Sequence, residues 1–392
     1  MCGSCNECST KNGSLPLITG VYLITTERCN LACKYCYVHQ NPKEMTYEVA
    51  KRAVDMIYEN SLIQGDTPFL NFFGGEPLLK YEEIVKPIIN YIRSTYPADF
   101  WIGITTNGVL LTEEILKFLV ENNVGLLLSV DGKAEIQNIN RPFHDGRGSF
   151  DKLDAIIPKA LEYFPVLTFR GTLNNDTACY MMDSVLYAVE KGYDNMFIIP
   201  NILTDWTAEQ EAILVEQVKQ LGDYYIQEAR NGKLLHFIPL EEKIKDIISI
   251  NRAVREGSFD KTAKNKCGLG SNRYASVSPT GNLYGCQEYT NNQDDNIFLI
   301  GNVFDGTDDV LRIELISKFN NAVIEGDNCS TCPYNPICSG HCVANNYIAN
   351  GSLTKVPRMW CVWTRALLEQ AIRITRTLGE EKNELFKNGY FS

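Results

Sequence analysis

Cysteine is the residue type through which this chain is best equipped to do chemistry. Cys29, Cys33 and Cys36 are spaced C-x3-C-x2-C within "TTERCNLACKYCYVHQ", residues 25–40, with Tyr35 immediately before the third thiol. A second group begins with Cys267 and Cys286 and continues as Cys329, Cys332, Cys338 and Cys342 in "CSTCPYNPICSGHC", with Cys361 closing it. Fourteen cysteines in 392 residues, after a polar start with no basic or apolar export signal, suggest thiolates kept for metal rather than for disulfides. Two metals fit the first group. Structural zinc takes four ligands, and His39 could complete a Cys3His set. A cubane of four irons held by three thiolates instead leaves one iron open to a small chelating molecule. The C-x2-C step in the second group is likewise shared with zinc ribbons.

These side chains need a scaffold, and residues 18–235 read as one. Strand-like runs "GVYLITTE", "TPFLNFFG", "FWIGITTNG", "VGLLLSVDG", "LTFRGTLN" and "NMFIIPN" alternate with amphipathic stretches such as "TYEVAKRAVDMIYENSLIQ". Thr46 and Thr112 are placed to cap two of the helices. Six βα units in a row predict a parallel barrel or an open doubly wound sheet, with active-site residues at the C-terminal ends of the strands. The cysteine loop follows the first strand, "GGEP" (74–77) the second, "TTNG" (105–108) the third and "SVDG" (129–132) the fourth. Residues 236–264 read as a charged helix and linker. The Cys-, Gly-, Asn- and Pro-rich stretch 265–361 is too irregular for a large core and needs metal to fold. Residues 362–392 read as a C-terminal helix with Leu367, Ala371 and Ile374 on one face, and residues 1–17 as a cysteine-rich tail.

Composition agrees with this division. The chain is 44% hydrophobic and 22% charged, globular in character and long enough for two domains. A net charge of −11 argues against nucleic-acid binding. No run approaches the roughly 18 apolar residues of a membrane span, so the expectation is a cytoplasmic protein without a membrane partner.

Taken together, the barrel motifs resemble the radical S-adenosylmethionine (SAM) enzymes, whose signature C-x3-C-x-aromatic-C follows the first barrel strand. Cys29, Cys33, Tyr35 and Cys36 match it; Gly74, Gly75, Glu76 and Pro77 match the family's strand-two motif; Ser129 and Arg141 match its contacts to the SAM ribose and carboxylate. The resemblance implies a partial (β/α)6 TIM-like barrel of α/β class. It also implies a [4Fe–4S] cluster whose open iron binds the methionine end of SAM, and cleavage to a 5′-deoxyadenosyl radical that abstracts hydrogen from substrate. All seven later cysteines, in order, resemble the SPASM extension of peptide and protein maturases, and the match runs from residue 20 to 365. That implies two auxiliary [4Fe–4S] clusters: an outer one on Cys329, Cys332, Cys338 and Cys361, and an inner one on Cys267, Cys286 and Cys342, with only three thiolates.

The substrate is narrowed by one departure. The sulfatase-maturing branch places an Asp directly after the cysteine equivalent to Cys286, where this chain has Gln287 and then Glu288. A carboxamide cannot accept a substrate proton in that way, so Glu288 or Asp131 would have to serve as the base. The expected substrate is a Cys-containing ribosomal precursor peptide, crosslinked from cysteine sulfur to carbon as a thioether. Formylglycine formation, carbon–carbon (cyclophane) crosslinking and epimerisation are the alternatives. With 28 residues before Cys29, the reading leaves no N-terminal recognition domain. A leader would then bind a separate partner or the barrel mouth, and a flavodoxin or ferredoxin would supply electrons. Cys2, Cys5 and Cys8 are read as a tail or accessory ligand, and Cys179 as a buried thiol near a helix start. His39, His144, His236 and His341 are read as surface or hydrogen-bonding residues, His341 being placed to tune a cluster. A zinc-binding adaptor that makes no radicals is the rival of a different class.

Overall fold

A computed structural model of the chain describes residues 15–96, 99–259, 273–290, 297–320, 326, 329–338 and 342–390. Cys2, Cys5, Cys8, Cys267 and His341 lie outside them. In chain order the elements are β1 (Gly20–Thr26), α1 (Tyr47–Gln64), β2 (Phe69–Gly74), α2 (Lys86–Thr95), β3 (Trp101–Thr106), α3 (Glu113–Glu121), β4 (Val124–Ser129), α4 (Ala134–Asn140), α5 (Phe150–Tyr163), β5 (Thr168–Leu173), α6 (Met181–Lys191), β6 (Asn195–Pro200), α7 (Ala208–Arg230), β7 (His236–Phe237) and α8 (Ile238–Glu256). The later part adds β8 (Tyr274–Val277), β9 (Asn282–Tyr284), β10 (Leu299–Asn302), β11 (Gly306–Thr307), α9 (Asp309–Asn320), α10 (Val343–Asn350), α11 (Arg358–Glu380) and α12 (Glu384–Tyr390). All six expected strands form, each followed by at least one helix, as a chain of parallel βα units requires.

The chain divides into two compact units. In the first, residues 1–129, 143–164 and 266–323, β1 pairs in parallel with both β2 and β8, and β3 and β4 extend the sheet beyond β2. β9, β10 and β11 continue it from β8 as an antiparallel meander. Leu23, Leu70, Phe72, Ile102 and Ile104 are fully buried among its strands, and Ala50, Ala53, Val54 and Ile57 of α1 likewise lose all contact with water. The expected caps are present: Thr46 Oγ1 accepts from Val49 N and Thr112 Oγ1 from Ile115 N. Arg312 of α9 is wholly buried and donates to the Pro16 carbonyl at 2.7 Å, fixing the start of the described chain.

The second unit holds residues 130–142, 165–265 and 324–392. β5, β6 and β7 pair in parallel. Leu367, Ala371 and Ile374 of α11 are buried, as their spacing predicts. α11 begins at Arg358, before the expected boundary at 362, because Pro357 stands where a helix entry tolerates it. Cys361 therefore sits in the first turn of a helix rather than at the end of an irregular segment.

Candidate active site

The strand ends of the first unit hold the three-cysteine loop by main-chain contacts. A bulge near the end of β1 brings Thr26 opposite Gly74. Pairing then runs on past the strands: Gly75 N donates to Thr26 O at 2.8 Å and Glu76 N to Arg28 O at 2.9 Å. Only glycine permits this approach. A Cβ on Gly75 would lie 2.1 Å from Arg28 O, and one on Gly74 would lie 2.4 Å from Thr26 O at a φ of +132°. The backbone these two glycines admit is the segment that leads into Cys29.

Further ties fix the loop beyond that point. Leu31, fully buried, bridges to Phe143, and Gln40 Nε2 donates to Leu31 O at 2.9 Å. The His144 ring lies 3.0 Å from the Cys29 carbonyl. Cys36 N donates to Cys33 O, closing a turn that contains Tyr35. Cys29 and Cys33 are half-buried and Cys36 is exposed, as is His39. Among the described residues, no three His, Cys, Asp or Glu side chains converge where a single metal ion would sit. A cubane takes one thiolate per iron at separate corners and does not require such convergence.

Glu76 lies at the centre of this end of the sheet and has no exposure. Oε1 accepts from Thr106 Oγ1 at 2.7 Å and from Leu78 N at 3.0 Å, and Oε2 accepts from Asn107 N at 2.8 Å. Burial pushes the carboxyl up to about 7, against the pull of those three donors. The "TTNG" turn is thereby joined to "GGEP". The Asn107 side chain reaches on to the cysteine loop, donating to Asn30 Oδ1 at 2.8 Å and lying 3.7 Å from Cys29 Sγ. Leu31 N also faces that sulfur, at 3.4 Å. Burial pushes the Cys29 thiol up to about 11, so a thiolate there calls for positive charge beside it. An iron–sulfur cluster supplies that charge, and two N–H groups already face the sulfur, so the donor set fits the group. Asn30, Asn107 and His144 were given no role at this loop from sequence. The asparagine of "TTNG" was the available signal, but its partner lies on another strand end.

The remaining expected residues are placed as follows. Ser129 ends β4 half-buried in the first unit. In the second unit Asp131 is 1% exposed; its Oδ1 accepts from Arg141 Nη2 at 3.1 Å and from Thr172 N at 2.9 Å. Asp131 and Arg141 are thus engaged with each other. Cys286 caps a short turn, with Sγ 3.9 Å from Gln287 Oε1, and Glu288 beside it is half-buried. Cys342 caps α10. Cys329, Cys332 and Cys338 follow one another through tight turns, and a Cβ on Gly326 would lie 2.9 Å from Cys329 Sγ and 3.6 Å from Cys361 Sγ. Folding therefore brings two sulfurs far apart in sequence around one small space. Cys179 differs from expectation: it does precede a helix, α6, but it is exposed on a turn whose neighbours Ala178 and Met181 take the buried positions.

Residues 23–209 match the Radical SAM superfamily model. An uncharacterized protein of Methanocaldococcus jannaschii is 35% identical over 32% of this chain and 43% of its own length. The radical SAM cyclopropyl synthase TigE of Paramaledivibacter caminithermalis is 22% identical over 91% of this chain and 74% of that protein. A cysteine-type anaerobic sulfatase-maturating enzyme of Clostridium perfringens is 24% identical over 80% and 85%. Among solved structures, native anSMEcpe with bound AdoMet and Cp18Cys peptide superposes with a TM-score of 0.70 at 21% identity, covering 92% of this chain and 99% of that one. Streptococcus suis SuiB bound to precursor peptide SuiA gives 0.59 at 13% identity, covering 87% and 75%. The chain carries a radical SAM domain over residues 23–209 and has the fold of these maturases. It is an enzyme, and the radical SAM family matched by that domain works with SAM and a [4Fe–4S] cluster.

Proposed function

We propose that this enzyme modifies a ribosomally made peptide, joining a cysteine sulfur to a carbon as a thioether. The observation that supports its radical step is the pinning of the Cys29–Cys36 loop to the "GGEP" and "TTNG" strand ends through Gly75, Glu76 and Asn107. Cys29, Cys33 and Cys36 would hold the SAM-binding cluster, with Tyr35 in their turn. Gly74, Gly75, Glu76, Pro77, Ser129 and Arg141 would contact SAM. Cluster and SAM together supply one-electron chemistry that removes a hydrogen atom from substrate. Glu76 holds the receiving strand end in shape by accepting from Leu78 N, Thr106 Oγ1 and Asn107 N.

Cys329, Cys332, Cys338 and Cys361 would hold an outer auxiliary cluster, and Cys286 and Cys342, with Cys267, an inner one. On this assignment the chain parses as a tail (1–17), barrel (18–235), linker (236–264), auxiliary-cluster domain (265–357) and two C-terminal helices from Arg358 onward. A low-potential flavodoxin or ferredoxin would deliver electrons, and a separate protein could recognise a leader. Two of the known structures bind peptides, which supports a peptide partner here. Formylglycine formation is the second reading, favoured by the likeness to sulfatase-maturating enzymes. Gln287 beside Cys286 weighs against it, as does the engagement of Asp131 with Arg141 and Thr172; Glu288 is the base it would need.

Anaerobic reaction of the iron-loaded enzyme with a Cys-containing candidate peptide tests the choice by mass spectrometry. Thioether formation removes one hydrogen from carbon and one from sulfur, so the product is two hydrogens lighter and does not react with a thiol reagent. A product that keeps its thiol, or carries an aldehyde in its place, rejects the thioether reading.

A further inference from the structure

We propose that Asn107 is a positioning residue that donates a hydrogen bond to the Cys29 sulfur and raises the reduction potential of the cluster held there. The inference rests on the reading that Cys29, Cys33 and Cys36 ligate a cluster. Asn107 is 7% exposed and fixed from three sides. Its backbone N–H is bound to Glu76 Oε2 at 2.8 Å, its Oδ1 accepts from Val109 N at 3.0 Å, and its Nδ2 donates to Asn30 Oδ1 at 2.8 Å. The Val109 bond settles which end of the amide is oxygen, and the NH2 therefore faces the cysteine loop, 3.7 Å from Cys29 Sγ. One amide proton goes to Asn30 and the other is left for the sulfur.

The consequence is electrostatic. A reduced cluster carries one more negative charge than an oxidised one, and an N–H dipole aimed at a ligand sulfur stabilises the reduced form. Leu31 N supplies a donor that no side-chain substitution removes, whereas the Asn107 donor belongs to a side chain held by a different strand end. Asn107 also links the Glu76 carboxylate to the sulfur through its own N–H and side chain. The same short segment thus reports on the "GGEP" end and acts on the cluster.

The test uses the full-length, iron-loaded protein and its Asn107→Ala and Asn107→Asp variants. Iron per chain is measured first; then a redox titration follows the EPR signal that changes when SAM is added. Both variants are expected to keep wild-type iron, with the SAM-sensitive potential moved to more negative values, further for Asp, which puts an acceptor oxygen against the sulfur. An unchanged potential with iron retained overturns the proposal. Loss of the SAM-sensitive signal from both variants also overturns it, making Asn107 a residue that merely folds the loop. Absence of any SAM-sensitive signal in the wild-type protein instead defeats the underlying cluster assignment.

Discussion

Glu76 offers the sharpest quantitative test of how the strand ends are built. Its carboxyl titrates at about 7 in the fold against 4.5 ordinarily, because burial opposes the charged form. Below 4.5 the group is protonated in folded and unfolded chains alike, and its full contribution is present. As pH rises, the unfolded chain releases the proton first while the folded one retains it, so stability falls until pH has passed through 7. Over the whole interval the loss is on the order of 3 kcal/mol, most of it between pH 5 and 8. Glu76→Gln removes this titration. It also turns an amide NH2 toward a buried donor at Thr106, Leu78 or Asn107, costing about 1–3 kcal/mol at every pH. Urea denaturation of cluster-free protein under reducing conditions should therefore show the variant less stable at pH 5, with the gap to wild type closing by roughly 2–3 kcal/mol at pH 8. Parallel stability curves for the two proteins from pH 5 to 8 would refute the claim that burial sets the state of Glu76.

Two further substitutions probe the segments proposed to hold clusters. Gly75→Ala sets a methyl group 2.1 Å from the Arg28 carbonyl and must push the cysteine loop away from β2; iron analysis is expected to show about four irons fewer per chain with far-UV circular dichroism unchanged. Cys361→Ser removes one of the two sulfurs that lie beside Gly326. It should cost a similar number of irons, about four, while SAM still perturbs the remaining EPR signal; retention of full iron would show that Cys361 is not a ligand.

Several features of this molecule are local enough to be written in its sequence. The βα alternation is one, since each strand and helix declares itself by period and by caps such as Thr46 and Thr112. The buried stripe of α11 is another, read directly from the spacing of Leu367, Ala371 and Ile374. Cysteine spacing singled out the loop after β1 because thiols on one short turn are close in sequence. What needed the folded chain were contacts between strand ends. Nothing in "GGEP" says that Gly75 makes room for the Arg28 carbonyl, or that Glu76 turns inward to hold Thr106 and Asn107. The same limit hid Asn107 and His144, whose partner Cys29 lies on a different loop, and it misjudged Cys179, whose exposure depends on which side of a turn meets the core. Periodicity and spacing describe neighbours along the chain, whereas the surroundings of Cys29 are assembled by hydrogen bonds between segments that only sheet pairing brings together.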